Sequence, residues 1–240
     1  MDLLDQPGPT HRLWDHLGPI FYKESKMLMS QKAIEQPRKL LGRNVYIIGP
    51  QSTGKTTLVN AIAQSLEGDV HVIQEIARTV MRERGYSRTD VDSDDSERRF
   101  TLQQDIFNAQ VQKEITFLQL GKEFLSDRSA VDPLVYLMHF SGQNELNRIT
   151  STDKWREVQN RYADANQSLV VLLLPVASFL VDDEVRYMSK SLDDWNALAL
   201  NFRLFMDQEK IPFVEIGEEI LDIKERVAEV MQNLKKETYE

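Results

Sequence analysis

Two rhythms of apolar residues alternate along this chain. Short, nearly unbroken apolar runs fall at Asn44–Ile48 (NVYII), Val70–Glu75, Glu123–Asp127, Ser168–Leu174 and Ile211–Ile216. Runs of this length, rich in β-branched and aromatic residues, predict strands, and the first and fourth suit strands buried on both faces. Between them apolar residues recur at three- and four-residue spacing. Leu58, Ile62 and Leu66 form one such face, Phe100, Phe107, Val111 and Leu118 another, and Ile220, Ile223, Val227, Val230 and Leu234 a third. These faces predict helices over 57–66, 97–120 and 218–234. Helices are also expected over Ile76–Arg84, Asp153–Ala165 and Leu192–Gln208, and another is expected to open with Asp132 as N-cap and Pro133 at the first helical position. Tyr86–Ser96 and Gly142–Thr152 read as loops. Strand and helix alternate throughout, which predicts one α/β domain.

The first 42 residues follow neither rhythm. Pro7, Pro9, Pro19 and Pro37 interrupt them, as do Gly8 and Gly18. A helix over Phe21–Glu35 is expected. This extension reads as a helix packed on the main domain or a partly disordered arm, or else as a partner- or membrane-docking element; residues 43–240 form the domain proper.

Chemistry enters directly after the first strand. Gly49, Pro50, Gln51, Ser52, Thr53, Gly54, Lys55, Thr56 and Thr57 fit the pattern G-x-x-x-x-G-K-[ST], with a strand before and a helix after. The glycines let the backbone curl until successive N–H groups face an anion. The following helix adds its free N–H groups and the positive end of its dipole. Lys55 would reach the outer phosphates of ATP or GTP, and the Thr56 hydroxyl would ligate Mg²⁺.

Three further groups sit where a phosphate-binding α/β protein places functional residues. Glu75 ends the second strand, with Arg78 on the same helical face. A carboxylate there can take a proton from an attacking hydroxyl and an arginine can hold phosphate; equally, Glu75 serves only the helix terminus. Asp127 ends the third strand, the usual position of an outer partner of Mg²⁺, and Arg128 follows it. The charged stretch 182–190 reads as a lid able to bring Arg186 onto a transferring phosphate, or as a solvated helix start. On the long helix Gln103, Gln110 and Glu114 form a polar line expected to be exposed, although such amides can contact a nucleoside. Asp132 is read as structural.

Composition narrows the classes. There is no cysteine, which excludes disulfides and thiolate chemistry. No apolar run reaches the ~20 residues of a membrane span, and the N-terminus lacks a signal-peptide layout, so a cytoplasmic protein is expected. The net charge of −9 disfavours broad nucleic-acid binding.

The segments GPQSTGKTT, QEIAR (74–78), LSDRSAVDPLVY (125–136) and DDEVR (182–186) together resemble the NadR-like P-loop domain family, a group of AAA-type ATP-binding domains that folds like nucleoside and nucleotide kinases. The resemblance spans about residues 43–235. It implies a P-loop three-layer sandwich, a parallel five-stranded sheet with helices on both faces. It also implies ATP- and Mg²⁺-dependent phosphorylation of a small molecule, a nucleoside such as nicotinamide riboside. On that resemblance Lys55 and Thr56 keep their phosphate and metal roles, and Glu75 corresponds to the carboxylate base. Arg78 lies at the acceptor, Asp127 and Arg128 contact Mg²⁺ and the phosphates or acceptor, and Arg186 is the lid arginine. The resemblance does not extend to the adenylyltransferase domain of bacterial NadR; residues 1–42 read as an unrelated extension. A nucleotide-binding regulator using that extension to dock a partner is the competing expectation.

Overall fold

The computed structural model describes residues 41–66, 68–179 and 191–236. The chain divides into two compact units, residues 1–38 and 39–240, and every described residue lies in the second. The expected helix at 21–35 and the charged stretch with Arg186 lie outside the described residues.

Five strands, β1 (Asn44–Ile48), β2 (His71–Ile73), β3 (Phe124–Asp127), β4 (Ser168–Leu173) and β5 (Val214–Ile216), form one parallel sheet in the order β2-β3-β1-β4-β5. The register pairs Val45 with Leu125 on one side and with Leu169 on the other. Every residue of β1, β3 and β4 is buried, as the unbroken apolar runs require. The side chains of β1 alternate between two cores. Val45 and Ile47 pack with Leu58, Val59 and Ile62 of α1 (Lys55–Ser65) and Val230 of α8 (Ile223–Lys235). Tyr46 and Ile48 face the larger core, with residues of α2 (Ile76–Arg84), α3 (Ser96–Gln119), α4 (Val131–Ser141), α5 (Gln143–Thr150), α6 (Asp153–Ala163) and α7 (Leu192–Gln208). The three expected layers are therefore present. Among the described residues no helix is long and apolar enough to cross a membrane.

The chain leaves β1 toward β2 on one side, returns through β3 next to β1, then builds β4 and β5 on the other side. In such a sheet the crevice at the carboxyl ends of the strands takes ligands. The residues after β1 and β3, Gly49 onward and Asp127 onward, lie together there.

Several expectations need correction. The loop 142–152 contains α5, whose Leu146 and Ile149 are buried; two apolar positions in eight residues give too weak a periodicity to see. Helix α4 begins at Val131, with Ala130 preceding it, so Asp132 is no N-cap; its carboxylate lies in the first turn and accepts from the Ser129 N–H at 2.8 Å. Helix α8 starts at Ile223, capped by Asp222, and not at 218. Strands β2 and β5 are shorter than expected at both or one end. The loop 86–96 includes a 3₁₀ turn, Arg88–Asp90, whose Asp90 is buried against Arg98. Most consequentially, Gln103, Gln110 and Glu114 are buried, not exposed.

Candidate nucleotide and acceptor sites

The turn after β1 closes against β4. Gly49 has φ 132°, and a Cβ on it would lie 2.4 Å from the Leu173 carbonyl oxygen, so only glycine fits. Gly54, at φ 89°, precedes the first turn of α1. Within the turn Lys55 is buried, and its Nζ donates to the Pro50 carbonyl and, at 3.3 Å, to Thr53 Oγ1. Burial and the nearby Arg128 charge pull the Lys55 ammonium well below its ordinary range, against the opposing pull of Asp132, Asp127 and Glu75. An anion in the turn relieves both effects.

Thr56 Oγ1 donates to Asp127 Oδ2 at 2.5 Å, which brings together the ends of β1 and β3. A hydroxyl and a carboxylate oxygen beside a phosphate cradle are the hard donors that Mg²⁺ prefers, so this pair fits the cation.

Beside it lies a second charged group. Arg128 has φ 81°, uncommon for a residue with a side chain, and its N–H donates to the Ile47 carbonyl at 3.0 Å. That backbone turn aims the guanidinium between Glu75 and Asp132. Nε donates to Glu75 Oε1 at 2.9 Å and Nη1 to Asp132 Oδ1 at 3.2 Å. Arg78 Nε donates to the other oxygen of Glu75 at 2.8 Å. Burial alone would raise the Glu75 carboxyl, but Arg128, Arg78 and Lys55 hold it down to about 2. Burial alone would lower the Arg128 guanidinium, but Glu75, Tyr136, Asp132 and Asp127 raise it well above its ordinary value.

These residues separate two cavities. One, of about 440 Å³, lies outside the turn against Ser52, Lys55, Thr56, Phe179, Leu221 and Arg226. The other is narrow, about 60 Å³, and is lined by Glu75, Arg78, Met81, Gln103, Gln110 and Arg128 among others. Gln51 joins the walls. Its side-chain oxygen accepts from Tyr136 OH at 2.9 Å and its backbone carbonyl from Trp195 Nε1 at 2.9 Å.

The structure thus brings together Lys55, Thr56, Asp127, Glu75, Arg78 and Arg128, and sets Gln110 in the wall of the narrow cavity. Two further residues escaped the sequence reading. Arg226 of α8 is 2% exposed; it donates to the carbonyls of Thr53 at 3.1 Å, Gly217 at 3.3 Å and Ile220 at 2.7 Å, and its guanidinium lies 4.9 Å from the Phe179 ring centre. The available signal was a basic residue amid Ile223, Val227 and Val230 on the apolar face of its helix. Asp132, read as a cap, is a partner of Arg128.

No curated protein matches the chain in a sequence comparison. Among solved structures, the deoxyadenosine kinase from M. mycoides with bound dATP superposes with a TM-score of 0.55 at 18% identity, covering 80% of this chain and 100% of that one. The NadR protein in complex with NR superposes with a TM-score of 0.58 at 18% identity, covering 91% of this chain and 62% of that one. At this identity the likeness establishes the shared fold, that of P-loop kinases. A family model described as an AAA domain matches residues 44–226, from the first strand to Arg226. With its phosphate-binding turn, parallel sheet and this match over most of its length, the chain belongs to the AAA domain family.

Proposed function

We propose that the protein transfers the γ-phosphoryl group of ATP to a hydroxyl of a small nucleoside-like molecule, nicotinamide riboside being the first candidate. The observation that carries this reading is the second cavity. A nucleotide switch needs the phosphate turn alone, whereas here a separate narrow cavity opens onto Glu75 and Arg128 beside it. Two solved proteins of the same fold, a deoxyadenosine kinase and NadR in complex with NR, support the choice of acceptor class.

In this reading ATP lies along residues 49–57 with its base toward Phe179 and Arg226. Lys55 holds the outer phosphates. Thr56 and Asp127 would hold Mg²⁺, which supplies charge neutralisation to the phosphates. The acceptor enters the narrow cavity with its hydroxyl at Glu75. A carboxylate held near 2 is a weak base. Its main task is therefore to accept the hydroxyl's hydrogen bond and aim the oxygen at the γ-phosphorus, taking the proton late, as the new O–P bond forms and the bond to the β-phosphate oxygen breaks. Arg128 stays charged beside the path of the phosphoryl group and stabilises it, and Arg78 completes the acceptor end.

The test is γ-phosphate transfer from ATP with Mg²⁺ across a nucleoside panel, with Lys55→Ala as the blank. Lys55-dependent transfer to one acceptor, reduced at least about a hundredfold in the variant, is expected. Nucleotide binding that needs Lys55, with no transfer to any acceptor, would overturn the proposal in favour of a regulator acting through residues 1–42.

A further inference from the structure

The phosphate turn is also the partition between the two cavities. Gln51 lines the narrow one and its neighbour Ser52 the larger, and the backbone is left-handed at Ser52, with φ 57°. The placement of the turn therefore sets how far a γ-phosphate lies from whatever fills the narrow cavity. Gly49 and Gly54 give this backbone wide conformational freedom, so its placement depends on ties from outside. On the nucleotide side Arg226 holds the Thr53 carbonyl at 3.1 Å. On the acceptor side the tie is Gln51, which is 1% exposed and gripped at both ends. Its side-chain oxygen accepts from Tyr136 OH of α4 at 2.9 Å, and its backbone carbonyl from Trp195 Nε1 of α7 at 2.9 Å. Tyr136 itself lines the narrow cavity. Burial holds its hydroxyl above the ordinary tyrosine value, against the pull of the nearby Arg128 charge, so it keeps the proton it donates. An amide oxygen only accepts, so that single proton is committed to Gln51.

We infer that Tyr136 is a positioning residue for phosphoryl transfer: acting through Gln51, it fixes the phosphate turn at the separation from the acceptor cavity that in-line attack requires. The inference rests on the proposed function, since it takes the narrow cavity for the acceptor. Transfer to a bound hydroxyl needs two molecules held in register, and a displacement of about 1 Å can cost about a hundredfold. Hydrolysis does not share this dependence, because water follows the γ-phosphate wherever the turn lies. Losing the link therefore slows transfer and spares both hydrolysis and binding. ATP keeps Lys55, Thr56 and the N–H groups of the turn, and the acceptor keeps Glu75, Arg78 and Arg128.

The experiment is steady-state kinetics of the full chain with ATP, Mg²⁺ and nicotinamide riboside, or the panel member that accepts phosphate in its place. ATP hydrolysis without acceptor is measured beside it, for wild type, Tyr136→Phe, Gln51→Met and the double variant. Phe keeps the ring and removes only the hydroxyl; Met keeps the length of Gln51 and removes the oxygen. Tyr136→Phe should lower kcat for transfer at least about tenfold, with both KM values within about threefold of wild type and hydrolysis not lowered. Gln51→Met should do the same, and the double variant should be no slower than Gln51→Met alone, since the two residues form one link. Should Tyr136→Phe fail to fold, Gln51→Met carries the test through the same rise in the ratio of hydrolysis to transfer. A proportional fall in transfer and hydrolysis would mark Tyr136 as a packing residue and overturn the inference. A raised acceptor KM at unchanged kcat would make it a binding contact and overturn it too, as would a further loss on the Gln51→Met background. Wild-type transfer that Tyr136→Phe leaves unchanged would defeat the inference alone. No transfer to any acceptor by the wild type would defeat the proposed function and the inference with it.

Discussion

Each cavity is held by a buried arginine, and the two arginines are held in opposite ways. Arg128, beside the narrow cavity, spans two carboxylates, Glu75 and Asp132. Arg226, behind the phosphate turn, donates to three backbone carbonyls, and Glu219 acts on it only from a distance. Both guanidiniums stay charged, but burial lowers the pKa of Arg226, whereas its acidic partners raise that of Arg128. A guanidinium that ties backbone carbonyls together fixes the shape of a turn. One that sits between carboxylates fixes a set of charges, and is the better suited to a site where charge moves.

The comparison makes graded predictions. Arg128→Met should be the most damaging, because it leaves Glu75 and Asp132 buried without their main counter-charge; a loss of about 3–5 kcal/mol is expected. The same variant should release the Glu75 carboxyl upward from about 2, which NMR titration of the side-chain carboxyl would follow. Equal losses for the two arginines would remove the distinction drawn between them. Arg226→Met leaves only neutral carbonyls short of a donor, so about 1–3 kcal/mol is expected, with weaker ATP binding as the turn around Thr53 loosens. Urea unfolding of both variants without nucleotide makes the comparison direct.

The smallest effect is that of pH. The folded Glu75 lies below its ordinary value of 4.5. Its contribution is thus fully present above that value and is lost as pH falls toward 2. The stability gap between wild type and Glu75→Gln should narrow by about 2 kcal/mol between pH 5 and pH 2.5, since one pKa unit corresponds to about 1.4 kcal/mol. A gap that stays constant would mean the arginines do not hold this carboxyl down.

The two cavities also differed in how far the sequence revealed them. The phosphate turn is contiguous: one strand, nine residues and one helix state its chemistry in order, and the structure folds them so. The narrow cavity is assembled from the ends of β2 and β3, one face of α3 and the start of α4, which lie up to about sixty residues apart. Glu75, Arg78 and Arg128 were visible because strand ends in a parallel sheet point to one crevice. The burial of Gln103, Gln110 and Glu114 was not. A polar stripe beside an apolar one looks like a solvated face until Arg161 and Tyr162, nearly fifty residues on, supply partners for Glu114. Asp132 was misjudged for a related reason: a carboxylate before proline suits a cap, and only the left-handed turn at Arg128 shows it as a charge partner. Helix α5 was missed because its two buried residues gave no usable periodicity.

The hydrogen bond from the Trp195 indole to the Gln51 carbonyl has an optical consequence. Indole emission responds to the polarity and hydrogen bonding around its N–H, and this N–H reports on a residue of the phosphate turn itself. Trp155 is also buried, but its Nε1 binds Glu209, on the side away from the turn. The molecule therefore carries an internal fluorophore at the phosphate turn and another, Trp155, bound to Glu209. In a Trp14→Phe variant, which leaves two of the three tryptophans, occupancy of the turn can be followed as a change in the emission of Trp195 against the steady background of Trp155.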